Sequence, residues 1–152
     1  MNAIQHFTLR GIYLRESQVS MREGFMPHVR KDLPGTFRIT QQEIIKGEDI
    51  NQAGDKTPFC TIITCFEFGY LENQLDDPSQ ITAQDFIASI TAKIAADYII
   101  QDAEQLTDEA LQQWAGINTL LHTWPYWREY CQTTQMRMNL PAHLMPLFGP
   151  PS

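Results

Sequence analysis

A dense cluster of bulky side chains late in the sequence constrains the fold of this chain most strongly. Residues 124–131 read Trp-Pro-Tyr-Trp-Arg-Glu-Tyr-Cys, which places two tryptophans, two tyrosines and a proline within eight positions. Large, partly polar rings rarely stay in water without a packing or binding role. The segment is therefore either a core helix whose start is fixed by Pro125 or a binding surface, and the usual burial of aromatic residues favours the core.

Length and charge narrow the possible classes of protein. A chain of 152 residues is expected to form one domain over residues 1–152 without disulfides or a structural metal, because it can bury roughly 68–70% of its unfolded surface. Eighteen acidic and eleven basic residues give a net charge of −7, which argues against nucleic acid and anionic membranes as partners. Since Met1 to Gly11 lack the apolar core of a signal peptide and no stretch is long enough to span a membrane, we expect a cytoplasmic protein without membrane insertion.

The sequence contains no pattern that indicates catalysis, a cofactor or a metal. Arg128 and Glu129 are adjacent, and neighbours on a helix point in different directions. Phosphate-binding, dinucleotide-binding and nucleophile-elbow motifs are absent. The histidines and cysteines lack the spacing of metal ligands, so we expect reduced, structural cysteines and no enzyme. These residues are His6, His28, His122 and His143, and Cys60, Cys65 and Cys131.

Alternating polarity predicts three β-strands in the first half of the chain. The first covers Phe7 to Met21, with a possible bulge near Gly11. A shorter second strand is predicted through Phe37, Ile39 and Ile44, followed by turn residues from Gly47 to Pro58. The third, Phe59 to Tyr70, is apolar on both faces, as in a strand covered on both sides. One face would carry Phe59, Ile63 and Cys65, and the other Ile62, Phe66, Phe68 and Tyr70.

The segment Phe86 to Ile100 fits a helix and a strand almost equally well. Apolar residues recur every four positions at Phe86, Ile90, Ile94 and Tyr98, and several alanines lie between them, which favours a helix. Every even position is apolar, however, while polar residues occupy most of the odd ones, and a helix does not need such alternation. The pattern alone leaves both structures open.

A helix is predicted to follow this segment. Thr107 supplies an N-cap and Asp108 and Glu109 place carboxylates at the positive end of the helix. Pro125 is predicted to interrupt this helix, with Trp124 outside helical angles and a renewed helix from Tyr126 to about Met136. The proline-rich residues after Leu140 are predicted to be extended.

Two stretches of the chain resemble the SecB family of export chaperones. The segment from Trp124 to Glu129, followed by a helix, then Arg137 to Pro141 and a second proline at Pro146, is similar to the family's aromatic-Pro-Tyr-x-Arg-Glu helix and the turn that ends it. The stretch Phe7 to Met21 resembles the family's long first strand. This resemblance favours a fourth strand for Phe86 to Ile100.

The resemblance implies an α+β fold in which a four-stranded antiparallel sheet is followed by a long, Pro-interrupted helix packed beside it. It further implies a homotetramer, a dimer of dimers, that holds unfolded or nascent preproteins in apolar grooves without ATP and delivers them to SecA. Client-binding residues would be Phe66, Phe68, Tyr70, Trp124, Tyr126, Trp127, Tyr130, Met136, Met138 and Leu140. SecA would contact Glu16, Glu67 and Glu72, and the oligomer interface would contain Tyr13, Trp114 and Arg128.

The chain departs from the family in three places. Met138 replaces the glycine that usually follows the arginine of the helix-ending turn, so Asn139 is expected to adopt the left-handed conformation instead. Ser20 stands where a second acidic residue is expected in the first strand. The sequence stops soon after Phe148, where typical members continue into a second helix and a polar tail.

Three hypotheses about function therefore stand. The first is a general SecB-like holdase, and the second is a specialised SecB-like protein with one client, such as the antitoxin of a toxin–antitoxin pair or a mobile-element protein. The shortened C-terminus favours the second modestly. The third is a β domain that binds a small ligand with its aromatic cluster. We predict that Trp127 and Tyr130 are partly interfacial or groove-lining, so Trp127→Ala should lower client affinity more than stability, whereas Arg128→Ala should weaken assembly.

Overall fold

Four long antiparallel strands and one long helix are the main elements of the part of the chain that the structure describes. The computed structural model describes residues 6–30, 32–74 and 77–145. Strands β1 (Phe7–Met21), β2 (Gly35–Ile50), β3 (Lys56–Leu71) and β4 (Phe86–Ile100) form one sheet in the order β1-β4-β3-β2. The α+β architecture predicted from the sequence is confirmed. Because β1 and β2 are the edge strands, the connection between them crosses one end of the sheet.

The segment Phe86 to Ile100, for which the sequence left helix and strand open, is a strand, β4. It pairs with β1 on one side and β3 on the other, antiparallel in both cases. All of its even-numbered residues are apolar and buried, whereas the opposite face carries Ser89, Thr91, Lys93 and Asp97 and is only partly buried. The register of β1 shifts between Leu9 and Gly11, which confirms the bulge expected near Gly11, and shifts again between Leu14 and Glu16.

The turn between β2 and β3 is much shorter than the sequence predicts. Strand pairing continues to Ile50 and resumes at Lys56, so the prediction of a loop from Gly47 to Pro58 was wrong. The side-chain oxygen of Asn51 accepts hydrogen bonds from the backbone N–H of Ala53 and Asp55, both at 2.9 Å. Those bonds supply the turn, while Gly47 remains a strand residue whose empty side-chain position is covered by a neighbouring aromatic ring.

One continuous helix follows the sheet and contains a single wide turn. It comprises α1 (Asp108–Trp114), a π-helical turn (Ala115–Thr119) and α2 (Leu120–Arg137). Thr107 is the N-cap, since its hydroxyl oxygen accepts a hydrogen bond from the backbone of Ala110 at 3.1 Å.

Pro125 lies inside α2 and does not interrupt it, so the predicted break at Trp124 was wrong. Proline removes one backbone hydrogen bond. Trp124 and Trp127, both buried against the sheet, hold the helix in place through packing that outweighs this loss. The helix ends as expected, with Asn139 in the left-handed conformation at φ 57°.

Two apolar clusters fill the space between helix and sheet. The smaller one lies under α1 and contains Tyr98, Leu111 and Trp114. The larger one lies under α2 and contains Phe66, Phe68, Tyr70, Trp124, Trp127 and Cys131, together with Leu33, Met138, Leu140 and Met145. The even-numbered face of β3 thus packs against the helix. No helix in the described ranges is long and apolar enough to cross a membrane.

Candidate functional site

An extended segment lies across one end of the sheet directly after the helix. We call residues 138–145 the post-helix segment; after the turn at Asn139, residues 140–145 form no regular secondary structure. Met138, Leu140 and Met145 are buried in the larger apolar cluster, whereas Leu144 is 79% exposed. The segment therefore inserts apolar side chains between α2 and the sheet as an extended peptide.

Side chains of the sheet and helix bind the main chain of this segment. The Tyr70 hydroxyl donates to the carbonyl oxygen of Pro141 at 2.6 Å, and the Arg128 Nε donates to the carbonyl oxygen of Met145 at 2.9 Å. The amide oxygen of Gln135, a fully buried residue, accepts from the backbone N–H of His143 at 2.8 Å. Burial raises the pKa of Tyr70 well above its ordinary value, so the phenol keeps its proton for this bond at neutral pH. These three contacts involve only main-chain atoms of the segment, so they do not depend on the identity of its side chains.

The imidazole of His143 binds the part of the chain that connects β1 and β2. Its Nε2 donates to the carbonyl oxygen of Leu33 at 2.8 Å. The ring also lies against Phe68 and Tyr70, with centroid separations of 5.6 and 5.5 Å. His143 is thus the side chain through which the post-helix segment contacts both the sheet and the connection.

That connection, which we call the crossover segment (residues 22–30 and 32–34), borders two cavities. A cavity of about 410 Å³ separates it from the post-helix segment and is lined by Pro27, His28, Arg30, Asn139, Leu140 and Pro141. A second, of about 370 Å³, lies beside it and is lined in part by Phe25, Met26, Val29 and Ile87. Because His28, Met26 and Val29 are exposed, both cavities open to solvent, which favours a peptide-binding surface over a closed small-ligand pocket.

Arginines frame the second cavity. Arg30 donates from Nη2 to the carbonyl oxygen of Glu72 at 3.0 Å, and Arg22 lies 3.5 Å from the Glu72 carboxylate. The floor is apolar, since Ile87 is buried and Phe25 packs against the larger cluster. The cavity thus combines an apolar floor with a rim that carries the adaptable side chain of Met26, two arginines and two glutamates.

The predicted client-binding residues divide between the interior and the surface. Trp127, predicted to be partly groove-lining, is fully buried in the single chain, and Tyr130 is half-buried. Only Tyr126 and Met136 are exposed, at 52% and 71%. The other predicted residues, Phe66, Phe68, Tyr70, Trp124, Met138 and Leu140, are buried in the larger cluster. Met138 and Leu140 belong to the post-helix segment itself, and the other interior residues share its apolar cluster from the sheet and the helix.

All three predicted partner-binding carboxylates have cationic neighbours, but only Glu16 and Glu72 lie at the surface, since the Glu67 side chain is 13% exposed. Glu16 lies 3.2 Å from the ammonium group of Lys93 across β1 and β4, and Glu67 pairs with Arg38. Glu72 pairs with Arg22 at the rim described above. Such surface pairs contribute about 0–1 kcal/mol each. A partner could therefore separate them at little cost.

The three predicted interface residues differ in their exposure and in their contacts. Tyr13 is 41% exposed on edge strand β1. Trp114 is buried and stacks on Phe7 with a centroid separation of 4.0 Å, so in the single chain it is a core residue. Arg128, predicted to pair across an interface, donates instead to a carbonyl of its own chain, that of Met145.

The residues that bind the post-helix segment carry little signal in the sequence. Gln135 and His143 belong to no motif, and nothing in the sequence points to a role for the crossover segment. The one available signal was Gln135, a polar residue on the apolar side of the helix. A buried amide needs hydrogen-bond partners, so its position points to a binding role. All three cysteines are free, and burial raises the pKa of Cys60 to about 11 and that of Cys131 to about 12, as expected of structural thiols.

Comparisons with known proteins identify the fold. No family model matches the sequence, and no curated protein matches it. Among solved structures, the chain is similar to the Mycobacterium tuberculosis Rv1957 SecB-like chaperone, which was solved in complex with a ChAD peptide from the Rv1956 HigA1 antitoxin. The identity is 18% and the TM-score 0.63, over 98% of this chain and 95% of that chain. The SecB-like fold implied by the sequence resemblance is therefore confirmed.

Proposed function

We propose that this chain, which has the fold of SecB-like proteins, is a chaperone that binds extended apolar segments of client proteins without ATP. The proposal rests on one observation at the end of the sheet described above. There the side chains of Tyr70, Gln135 and Arg128 bind the main chain of an extended peptide, which is the post-helix segment of the same chain. Contacts to backbone suit clients of varied sequence. An apolar floor and a Met-lined cavity supply adaptable affinity.

The proposal includes assembly into a homotetramer through β1. This strand has an unpaired edge of 15 residues and four exposed large apolar or aromatic side chains, namely Leu9, Tyr13, Leu14 and Val19. A long, partly apolar strand edge left in solvent promotes association with another strand. Pairing of β1 with a second copy would cover it, and helix contacts between dimers would complete the assembly.

A dedicated client is the second candidate, and the comparison favours it. The Rv1957 structure contains a peptide from an antitoxin, so one protein of this fold binds a particular peptide. Both candidates use the same groove and differ in the breadth of clients. Delivery to SecA through Glu16, Glu67 and Glu72 belongs to the general candidate, and reversing the charge of all three should weaken capture of SecA.

Suppression of aggregation tests the proposal and separates the two candidates. Several unrelated reporter proteins are unfolded in denaturant and diluted into buffer without nucleotide, with and without the chain, and light scattering is recorded. A general holdase should suppress scattering of every reporter at near-stoichiometric ratios. Suppression of none, together with tight binding of one co-purifying protein, would indicate a dedicated chaperone. Absence of both activities would contradict the proposal.

A further inference from the structure

The post-helix segment itself has the features of a bound client. It is extended, it buries Leu140 and Met145 as apolar anchors, and its main chain is held by three side chains of the body. Buried backbone groups need hydrogen-bond partners, and here those of the segment are supplied by side chains of the sheet and the helix and not by a neighbouring strand. The groove is thus already filled by a peptide of its own chain.

We infer that the post-helix segment is an intramolecular pseudo-client that competes with clients for this groove. The inference rests on the proposed function. A client segment with two apolar residues about five positions apart would displace residues 140–145 and take over the hydrogen bonds from Tyr70 and Arg128. The open cavity of about 410 Å³ beside Leu140 and Pro141 is where such a segment can first contact the groove.

Competition of this kind sets the affinity of the chaperone. The apparent affinity for a client equals the intrinsic affinity multiplied by the fraction of molecules whose groove is open. Each contact that holds the post-helix segment therefore lowers client affinity. The segment also covers the apolar floor when no client is present, which protects the chain itself from aggregation.

His143→Ala tests the inference, with Leu144→Ala as its matched control. The first substitution removes the bond to Leu33 and the ring contacts with Phe68 and Tyr70, and it leaves in place the side chains that bind the main chain of the segment. Loss of one buried hydrogen bond should raise client affinity about fivefold to tenfold. Leu144 lies on the same segment with its side chain in solvent, so its removal should change affinity less than about twofold.

The affinity is measured by fluorescence anisotropy with a labelled, reduced and carboxymethylated reporter protein, which stays unfolded in buffer. An unchanged or lower affinity for His143→Ala would overturn the inference while leaving the proposed function intact. Failure of the unmodified chain to bind the reporter would instead overturn the proposed function, and this inference with it.

Hydrogen exchange on the unmodified chain provides a test that needs no variant. The backbone N–H groups of Leu140 and His143 are hydrogen-bonded, to the carbonyl oxygen and the side-chain oxygen of Gln135, and should exchange slowly in the free protein. Binding of the unfolded reporter should accelerate exchange in residues 140–145 if the segment is displaced. Slower or unchanged exchange would show that the segment is a fixed wall of the groove.

Discussion

Trp127→Ala is expected to lower the free energy of unfolding by about 3–5 kcal/mol, the usual cost of emptying a large buried aromatic site. Trp127 is fully buried and stacks on Phe66 with a centroid separation of 5.2 Å and an angle of 12°. Its indole N–H has no hydrogen-bond partner in the described part of the chain, so apolar packing is its whole contribution. Chemical denaturation followed by circular dichroism measures the change.

This result would correct the expectation that the substitution affects client affinity more than stability. Tyr126→Ala is the matched control, because Tyr126 is the preceding residue and is half-exposed; it should cost less than about 0.5 kcal/mol. Trp127→Phe should retain most of the stability, since it keeps a ring against Phe66 and removes the unpaired N–H. Equal stability of Trp127→Ala and the unmodified chain would mean that Trp127 does not hold helix and sheet together.

Gly69→Ala is expected to cost about 1–3 kcal/mol through overpacking. A Cβ atom at Gly69 would lie 2.2 Å from atoms of the Phe86 ring on the neighbouring strand. That ring cannot move aside easily, because it packs with Leu71 and Ile81 and the Arg38 guanidinium lies 5.7 Å from its centroid. Thermal unfolding should show the loss as a lower midpoint.

Gly11→Ala is the control for this prediction. Gly11 also lies in a strand, but a Cβ atom there would have no neighbour within 4 Å. Replacing it should leave stability unchanged or raise it slightly, because alanine restricts the unfolded chain more than glycine does. If both substitutions had the same effect, the close approach of Phe86 to Gly69 would not be a feature of the protein in solution.

Most of the fold could be predicted from local patterns and the resemblance together. Alternating polarity placed β1 and β3, and Thr107 marked the start of the helix. The segment Phe86 to Ile100 shows the limit of such patterns, since a central strand that is apolar along one whole face and mixed on the other has nearly the apolar spacing of a helix. The resemblance to the family favoured the strand.

The errors arose where tertiary packing outweighed a local preference. Pro125 normally ends or kinks a helix, yet α2 continues through it because the tryptophans on either side of it are anchored on the sheet. Gly47 signals a turn in isolation, but the ring of Phe59 on the paired strand fills its side-chain space. Neither partner is near in sequence, so no local pattern could reveal it.

The candidate site was predicted only in part. The aromatic floor was identified from its composition, but its burial beneath residues 138–145 was not. The contacts that hold this segment, such as His143 with Leu33, join residues 110 positions apart. Single polar residues of this kind carry no motif, so only the folded chain brings them together.

Site-specific photo-crosslinking is a direct test of whether unfolded clients bind at the end of the sheet that the crossover segment borders. A photoreactive residue is placed at Val29, beside the cavities, or at Ile50, at the far end of β2 and roughly 50 Å away by strand rise. The two positions are matched in exposure at 69% and 65%. We expect an unfolded reporter to crosslink at Val29 and hardly at Ile50. Equal yields, or a higher yield at Ile50, would contradict it.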